Sequence, residues 1–599
     1  MGVIALVVFG LASVVAAWAA YDGHAALMRL ALLGGSHAMA QAHASVVRRG
    51  GTRALALAGM GCALLVGAIA AFFLLSHDWR IGATADLTVL DRVGLWLQAR
   101  RPALPLYTVY GRGDPAPPVR EDVNANVAGA AIAILAPLGC IGVAWAYANG
   151  RRLLGAVAAT SVGLALFALL LTSSRGAWVG LAAGVLAATY LRWSERVPGA
   201  RRPGAAVLFA AGALLMLGVF VLAVVKPGTQ GDVGPLDRLL AIGGTASRTV
   251  LWRDMLDLVA DYRFTGSGLG STMMVYSSYM LLIHVGYLTH AHNLFLQVAV
   301  EQGLIALAAF LALLIAAFGA LLSPAGFRAY AGRSTAAGAP GAAAQRHTVG
   351  AARLAAVAAL VALVVHGMAD AGLYASRLAP VVFLPFGFAL GLGWLAAAPS
   401  ATEAPSRGPR VAPRSAAGGW GVPVAALAAG MALVVALLPP VRAAFQENLG
   451  AVAQTRAELG VYVWPDWPIQ DALRRDAGVD LAPAIARFQA ALALDPADAA
   501  ANRRLGQIEL SRGDYSSALA HLESAFRAAP GQSATRRLLG EAYAIAGDPE
   551  RAAALWRTVD LNPSYLDGRI WWYDHLGEAA HVAALRQAAA LAAATPSAP

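Results

Sequence analysis

Two histidines stand where the longest polar interval of the chain meets an apolar span. His290 and His292 belong to the run His-Ala-His-Asn-Leu-Phe-Leu-Gln, in which Asn293 follows the second histidine. An imidazole titrates close to neutral pH, so it can take a proton from a hydroxyl group there. At a membrane boundary it can equally be an interfacial side chain with a satisfied hydrogen bond. The run therefore indicates either a general base or an ordinary boundary histidine.

Arg175 is the arginine with the most informative position. It follows Thr172-Ser173-Ser174 in a very short break between two apolar spans, and the far ends of both spans carry other arginines. Counting crossings places Arg175 at the outer boundary, against the usual inward bias of basic residues. A guanidinium stays protonated and binds phosphate through two parallel hydrogen bonds. We expect Arg175 either to reach outer lipid phosphates or to clamp a diphosphate.

Two further pairs of residues accompany these positions. Arg248 begins an amphipathic stretch with helical spacing, and Trp252 follows one turn later. Taken alone, such an arginine is the solvated end of a helix. His366 and Asp370 are four residues apart, which predicts that they share one helix face near the outer surface. For this pair we expect a structural hydrogen bond rather than a catalytic role.

The composition excludes an ordinary soluble globular protein. Of the 599 residues, 58% are hydrophobic and 13% are charged, whereas about a quarter of the residues of soluble domains are charged. The net charge of +11 comes mainly from arginines in short segments between apolar runs. This is the positive-inside pattern of a membrane protein rather than a nucleic-acid-binding surface. Cys62 and Cys140 both lie in apolar runs, so neither a disulfide framework nor a cysteine metal site is expected.

The apolar runs predict a polytopic, all-α membrane protein with about eleven spans, its N-terminus inside and its C-terminus outside. The predicted spans are 1–20, 25–47, 54–75, 127–147, 153–171, 176–191, 205–225, 294–322, 354–372, 378–398 and 420–438. The first run lacks a basic start, which favours a span over a signal peptide. Ala17-Trp18-Ala19 nevertheless resembles a cleavage site, so the retention of residues 1–20 stays open.

Changes in composition divide the chain into five predicted segments. They are a polytopic membrane domain at 1–398 with a long extracytoplasmic loop at 226–292, a basic Pro/Ala linker at 399–418, a final membrane span at 419–440, a connector at 441–480 and a soluble helical-repeat domain at 481–595. The topology places the repeat domain on the same side as the long loop.

The C-terminal segment repeats with a period of 34 residues. The pairs Leu505-Gly506 and Leu539-Gly540, Gly513-Asp514 and Gly547-Asp548, and Ala518 and Ala552 all have this separation. The period, with small residues at helix crossings, resembles tetratricopeptide repeats. We expect two to three stacked helix pairs that bind a protein partner or brace a complex.

The polar motifs together resemble the O-antigen ligase and O-antigen polymerase family. The resemblance is carried by Ser-Arg-Gly at Arg175, by Ser-Arg followed by Trp at Arg248 and Trp252, and by the histidine run that ends at Asn293. It implies a membrane enzyme that moves a glycan from an undecaprenyl-diphosphate-linked donor to an acceptor hydroxyl with inversion. In the family pattern the two arginines hold the diphosphate, and the histidine beside the asparagine, here His292, is the base. His290 is the second choice.

Other residues match the family less closely. Asn124 and Asn126 resemble its asparagine-containing start of an inward span, but ordinary helix caps are the favoured interpretation. Arg120 is a candidate third contact to the diphosphate, and the resemblance makes Asn126, Asn293, Trp252, His366 and Asp370 supporting residues. Gly266-Ser-Gly-Leu-Gly270 is expected to be a tight turn, since no strand–turn–helix unit for a nucleotide surrounds it. The outer loops carry no metal motif, so we expect neither a metal nor another cofactor.

Several functions remain compatible with these patterns. The acceptor can be a lipid A core, another glycan chain or a protein, which corresponds to a ligase, a polymerase or a protein O-oligosaccharyltransferase. The repeats favour a protein acceptor or partner only weakly. A transporter or a scaffold is the alternative from another class, although transporters usually place polar residues mid-membrane. The expected location is the bacterial cytoplasmic (inner) membrane, with the repeats extracytoplasmic.

Overall fold

The computed structural model describes residues 2–77, 79, 89–100, 124–196, 248–282, 289–323, 327, 342–397, 437–462, 469–559, 561 and 563–594. Within these ranges all regular secondary structure is helical, which confirms the predicted all-α class. Arg120, the linker at 399–418 and most of the final span at 419–440 lie outside the described residues.

The N-terminal two thirds of the chain forms a helical bundle. Its first helices are α1 (Gly2–Ala19), α2 (Gly23–Ser76), α3 (Val89–Arg100), α4 (Ala125–Ala148), α5 (Arg152–Leu171) and α6 (Arg175–Arg196). The long loop contributes α7 (Arg248–Asp261), α8 (Thr272–Tyr276) and a π-helical turn (Ser277–Leu281). The bundle is completed by α9 (Leu294–Leu322), α10 (Ala342–Gly367), α11 (Gly372–Ala375) and α12 (Pro380–Ala397).

Five helices in the described part of the chain are long and apolar enough to cross a membrane. They are α2, α4, α5, α9 and α10, and α1 and α12 are shorter apolar helices. Backbone helicity breaks inside α2 at Gly51, with φ 57°, in the basic turn predicted between two spans. Since the predicted span 205–225 and most of the predicted span 420–438 lie outside the described residues, the total of about eleven spans stays a prediction.

Helix α4 occupies the middle of the bundle and packs on α2, α5, α6 and α10. Almost every residue from Val127 to Gly142 is buried. Small residues permit the close approach, because a Cβ at Gly142 would lie 2.6 Å from the backbone nitrogen of Met60 on α2. The start of α4 lies beside the start of α6, because a Cβ at Gly129 would lie 3.0 Å from the Ser174 Cβ and 3.1 Å from the Ala177 Cβ.

The other end of the bundle carries several of the arginines that the charge pattern predicts to be cytoplasmic. Arg48 lies over the Trp394 ring at 5.6 Å, and Arg151 lies over the Trp145 ring at 5.1 Å. Arg353 donates to the Leu321 carbonyl at 2.5 Å. These contacts join helix ends that the topology places on one side, in agreement with the positive-inside pattern.

The C-terminal part of the chain is a stack of short helices. They are α13 (Pro439–Leu459), α14 (Gln470–Arg475), α15 (Ala482–Leu494), α16 (Ala499–Arg512), α17 (Tyr515–Ala528), α18 (Ser533–Ile545), α19 (Pro549–Trp556), α20 (Pro563–His575) and α21 (Ala579–Ala593). We call α13–α21 the repeat region. The 34-residue period reappears in its packing, since Gly506 faces Leu522 and Gly540 faces Trp556. Asp514 and Asp548 likewise cap α17 and α19, which are equivalent helices 34 residues apart.

Replacing Gly540 with alanine is expected to destabilise the repeat region by about 1–3 kcal/mol. A Cβ at Gly540 would lie 2.2 Å from the Trp556 indole nitrogen, and this indole is buried, so the helices must separate. Hydrogen exchange of α18 and α19 in the full-length protein measures the effect. Gly531→Ala is the matched control, because no atom lies within 4 Å of its Cβ position. Equal exchange in both variants would contradict the packing.

Candidate active site

The segments that the sequence singles out meet at residues 366–372, which are the end of α10 and the turn after it. Asp370 Oδ2 lies 3.3 Å from His290 Nε2 and 3.2 Å from His292 Nδ1. The two imidazole centroids are 4.3 Å apart. One buried carboxylate therefore holds both histidines of the polar run.

Arg248 reaches the same turn from the first position of α7. Its Nη1 donates to the Ala369 carbonyl at 2.5 Å. Burial lowers the pKa of the Arg248 guanidinium, and the negative charge of Asp370 opposes this shift. A guanidinium nevertheless stays protonated in proteins. Arg248 thus places a permanent positive charge beside the histidine–aspartate cluster.

Arg175, the first residue of α6, begins its helix at the opposite side of this turn. A Cβ at the adjoining Gly176 would lie 3.4 Å from the Ala369 Cβ and 3.6 Å from the His366 Cδ2. The α5–α6 turn is tight, because Ser173 has a positive φ of 52°. The Arg175 side chain is exposed. Ala369 therefore lies between the start of α6 and the guanidinium of Arg248.

The two histidines differ in how many ring nitrogens are engaged. His290 uses both, since its Nδ1 lies 2.8 Å from Thr289 Oγ1 while its Nε2 faces Asp370. His292 faces Asp370 through Nδ1 alone, and its Nε2 has no hydrogen-bond partner among the described residues. The side chain of His292 is 29% exposed and that of His290 is 9% exposed. His292 is therefore the histidine with a nitrogen available to a substrate.

His292 also has an unusual backbone conformation, with a positive φ of 48°. A residue other than glycine in this left-handed region costs about 1 kcal/mol or more and is found disproportionately at functional sites.

Asp370 is the charge that orients the cluster. Burial alone would raise the pKa of this carboxyl, but the hydrogen bonds to His290 and His292 and the nearby imidazoles hold its pKa well below the usual range. Its other oxygen, Oδ1, accepts from the Gly372 backbone at 2.6 Å. An ionised Asp370 favours a proton on His292 Nδ1, which leaves Nε2 with a free lone pair.

Local sequence explains how the histidine run keeps this shape. Asn293 caps α9 by accepting from the Phe295 and Leu296 backbone nitrogens at 3.0 and 3.1 Å, and its Nδ2 donates to the Met368 carbonyl at 3.3 Å. Trp252 of α7 donates from its indole to the Ala291 carbonyl at 3.2 Å. The cap and the tryptophan thus fix the run against both α7 and the 366–372 turn.

A second polar network contacts the histidine run, and its residues were not among the site residues predicted from the sequence. Arg29 of α2 pairs with Glu301 of α9 at 3.4 Å, and Thr272 donates to the same carboxylate at 3.1 Å. Gln297 donates to Thr272 at 3.0 Å and accepts from the Ala291 backbone at 2.7 Å. Two opposite charges inside apolar spans were the available signal, because such residues usually pair with each other.

The segment that follows α7 packs against α9 near Gly303. Backbone helicity breaks at Gly303, with φ 80° and ψ 175°, a conformation that favours glycine. The Leu304 nitrogen then donates to the Arg263 carbonyl at 2.8 Å, and the Ser267 nitrogen donates to the Val300 carbonyl at 2.7 Å. Backbone groups of α9 near the break are therefore hydrogen-bonded to the segment that follows α7.

The glycines of this segment form the predicted tight turn. Gly266, Gly268 and Gly270 have φ values of 70°, 111° and 77°. A Cβ at Gly268 would lie 2.4 Å from the Ala20 Cα, and one at Gly266 would lie 2.2 Å from the Glu301 backbone. The turn thus packs against α9 and the end of α1, as expected for a segment that returns to the membrane.

One sequence interpretation is wrong and another is confirmed. His366 and Asp370 do not share a helix face, because α10 ends at Gly367, and Asp370 binds the two histidines of the run instead of His366. The His366 Nε2 is buried without a hydrogen-bond partner among the described residues. Asn124 is an ordinary cap of α4, accepting from the Asn126 backbone at 2.8 Å.

His290, His292 and Asp370 are also the described residues that can hold a metal ion. One ligand atom from each lies within 4.8 Å of the others. In the present geometry both imidazole nitrogens face the same carboxylate oxygen at hydrogen-bond distance, and Arg248 adds a positive charge beside it. The same distances fit hydrogen bonds from the two imidazoles to one carboxylate oxygen.

Comparison with known families covers both parts of the chain. Residues 160–311 match the O-antigen ligase family, a region that contains Arg175, Arg248 and both histidines. Residues 480–533 and 509–562 match two tetratricopeptide repeat families. A search of curated proteins gave no match. The chain thus combines a region similar to the O-antigen ligase family, set among apolar helices, with C-terminal segments that match tetratricopeptide repeats.

Proposed function

We propose that this protein is an inverting glycosyltransferase of the O-antigen ligase type. It moves a glycan from an undecaprenyl-diphosphate-linked donor to an acceptor hydroxyl at the outer face of the bacterial cytoplasmic membrane. The observation that carries the proposal is the convergence on the 366–372 turn of Arg248, the start of α6 with Arg175, and the His290–His292–Asp370 cluster. An anion clamp and a proton acceptor in one place are what this transfer requires.

His292 is the general base in this proposal. Its Nε2 takes the proton of the acceptor hydroxyl while the hydroxyl oxygen attacks the anomeric carbon of the donor sugar. Asp370, 3.2 Å from Nδ1, stabilises the imidazolium that forms. His290 holds the Asp370 carboxylate in position beside His292.

Arg248 and Arg175 act on the leaving group. The bond between the anomeric carbon and the phosphate oxygen breaks as the new glycosidic bond forms, and its electron pair leaves with the diphosphate. Negative charge therefore grows on the phosphates in the transition state, where guanidinium groups stabilise it most. A single displacement of this kind inverts the anomeric configuration and needs no glycosyl-enzyme intermediate.

The orientation in the membrane supports the proposal. The site lies at the bundle end opposite the contacts of Arg48, Arg151 and Arg353, which the charge pattern assigns to the cytoplasm. The repeat region lies at the site end, since Arg456 of α13 stacks over Trp18 at 4.7 Å. Both would then face the extracytoplasmic compartment.

A reconstituted assay tests the function. Purified full-length protein in nanodiscs is given an undecaprenyl-diphosphate-linked oligosaccharide with a lipid A core, a glycan or a Ser/Thr peptide as acceptor. We expect transfer to one class, inverted anomeric configuration, equimolar release of undecaprenyl diphosphate, and full activity in EDTA. Transfer to none of the three would contradict the proposal. Loss of activity in EDTA would instead indicate a metal at His290, His292 and Asp370.

Replacing Asp370 with asparagine is expected to lower turnover by about 10²-fold, because an amide cannot stabilise the imidazolium and can bind the wrong tautomer of His292. Initial rates with saturating donor and acceptor measure this change. Asp574→Asn, an exposed position in the repeat region, is the matched control and should transfer at the wild-type rate. An unchanged rate in Asp370→Asn would exclude Asp370 from the mechanism.

A further inference from the structure

The repeat region makes its most buried polar contacts with the chain's own long loop. Asp261, the last residue of α7, is paired with Arg503 and with Arg504, and all three side chains are 0% exposed. Arg504 Nη2 lies 2.8 Å and Nε 3.1 Å from Asp261 Oδ2. Removing one partner of such a buried pair leaves an uncompensated charge, so loss of the Asp261 charge should strongly destabilise the docked arrangement.

Further hydrogen bonds extend this contact in both directions from Asp261. The Tyr262 hydroxyl lies 2.6 Å from Thr455 Oγ1, and Asn448 Oδ1 accepts from the Phe264 backbone at 2.8 Å. Asp254, two turns before Asp261, accepts from Ser533 Oγ at 2.6 Å. The Met280 carbonyl accepts from Arg537. We call the contributing residues of the repeat region the docking face: Asn448, Thr455, Arg503, Arg504, Ser533 and Arg537.

The charges on the two sides are complementary. Asp254, Asp257 and Asp261 are spaced three and four residues apart, so they lie on one face of α7. Arg503 and Arg504 on α16 and Arg537 on α18 belong to the opposing surface. Such complementarity selects one partner and one register over others.

An apolar core continues from the docking face to the candidate active site. One buried cluster contains Ala451, Val452, Leu459 and Ala534 of the repeat region, Leu251, Trp252, Met255, Leu258 and Val259 of α7, and Ala291 of the histidine run. Trp252 within this cluster bonds the Ala291 carbonyl between His290 and His292. Arg248 lies 13 residues before Asp261 on the same helix, about 20 Å along its axis. Docking at one end of α7 therefore fixes the guanidinium at the other.

We propose that the docking face is an intramolecular clamp, whose ligand is the 248–282 segment of the same chain and which positions Arg248 and the histidine run. The surface through which tetratricopeptide repeats would recruit another protein is here occupied by the enzyme's own loop. The residues of the docking face are positioning residues, since they touch α7 and the segment after it rather than the reacting groups. The kinetic half of this proposal rests on the proposed transferase function.

Two variants of the full-length protein test the clamp. Asp261→Asn removes the charge that Arg503 and Arg504 share and should undock α7. Asp254→Cys with Ser533→Cys, in a Cys62→Ala and Cys140→Ala background, should form a disulfide across the docking face on oxidation. Arg551→Ala, an exposed arginine of α19 outside the docking face, is the control.

We expect Asp261→Asn to raise hydrogen exchange in residues 248–282 and 289–297. We also expect it to lower kcat at least about tenfold while the acceptor KM stays within about twofold of the wild-type value, because a small displacement of a positioning group mainly affects the transition state. Oxidising the cysteine pair in the Asp261→Asn background should restore both exchange protection and kcat, a rescue that a general folding defect would not show. Arg551→Ala should behave as the wild type.

The proposal is overturned if the cysteines do not cross-link, or if Asp261→Asn leaves both exchange and kcat unchanged. It is also overturned if the oxidised pair blocks turnover in an otherwise wild-type chain, since the loop would then have to leave the docking face. Should the wild type transfer no glycan, the function fails while exchange and cross-linking still decide whether the clamp exists.

Discussion

Replacing His292 with alanine is expected to lower turnover by about 10³-fold while the affinity for the lipid-linked donor stays within about twofold. In the proposed mechanism the substitution removes the proton acceptor, but it leaves Arg248 and Arg175, the proposed contacts of the diphosphate. Initial rates of undecaprenyl diphosphate release give turnover, and equilibrium binding of a labelled donor in nanodiscs gives affinity.

Two other histidines serve as comparisons for this variant. His290→Ala should have a smaller effect, about tenfold, because both of its ring nitrogens are engaged and it acts by holding Asp370. His24→Ala, an exposed histidine at the start of α2, should not change the rate. If His292→Ala turned over near the wild-type rate, or less impaired than His290→Ala, the base would be assigned to the wrong residue.

Replacing Arg248 with alanine is expected to lower kcat by about 10²- to 10³-fold. In the proposed mechanism its guanidinium stabilises negative charge that develops on the diphosphate only as the glycosyl–phosphate bond breaks. Arg248→Lys should recover part of this loss, since it restores the charge without the planar donor pair that binds two phosphate oxygens. Steady-state kinetics with varied donor separate the effects on kcat and on KM.

Arg442→Ala is the control for the arginine prediction. Arg442 is exposed near the start of α13, so it reports any general attraction of basic residues to lipid phosphates. Its loss should leave kcat unchanged. A rise in donor KM with an unchanged kcat in Arg248→Ala would show that Arg248 binds donor and transition state equally, and the leaving-group role would then be withdrawn.

Local patterns in the sequence were sufficient for the helical class and the repeats. The 34-residue period places Gly506 and Gly540 at equivalent helix crossings, and the structure fills both with the equivalent residues Leu522 and Trp556. Caps were equally predictable, as Asn124 shows at α4. Such features depend on neighbours within a few turns of the chain, so a single sequence contains the information that specifies them.

The candidate site was predictable only in part. Arg175 and His292 stood out because each is a polar residue at the edge of an apolar run. Arg248 stood out through the family resemblance alone. The contact of Asp370 with the two histidines was missed, because its spacing from His366 suggested a helical pair. The end of α10 at Gly367 turns its carboxylate toward His292, which is 78 residues away in the chain.

The sequence by itself determined the membrane class, the 34-residue repeats and the residue types of the site, since hydrophobic periodicity and short motifs are local properties of the chain. Only the tertiary structure decided which histidine keeps a ring nitrogen without a partner among the described residues, and that the repeat region contacts the loop of its own chain. Asp261 meets Arg503 across 242 residues, and no periodicity relates two positions so far apart. Such pairings depend on how whole helices pack, because a buried charge is costly unless the fold places an opposite charge beside it.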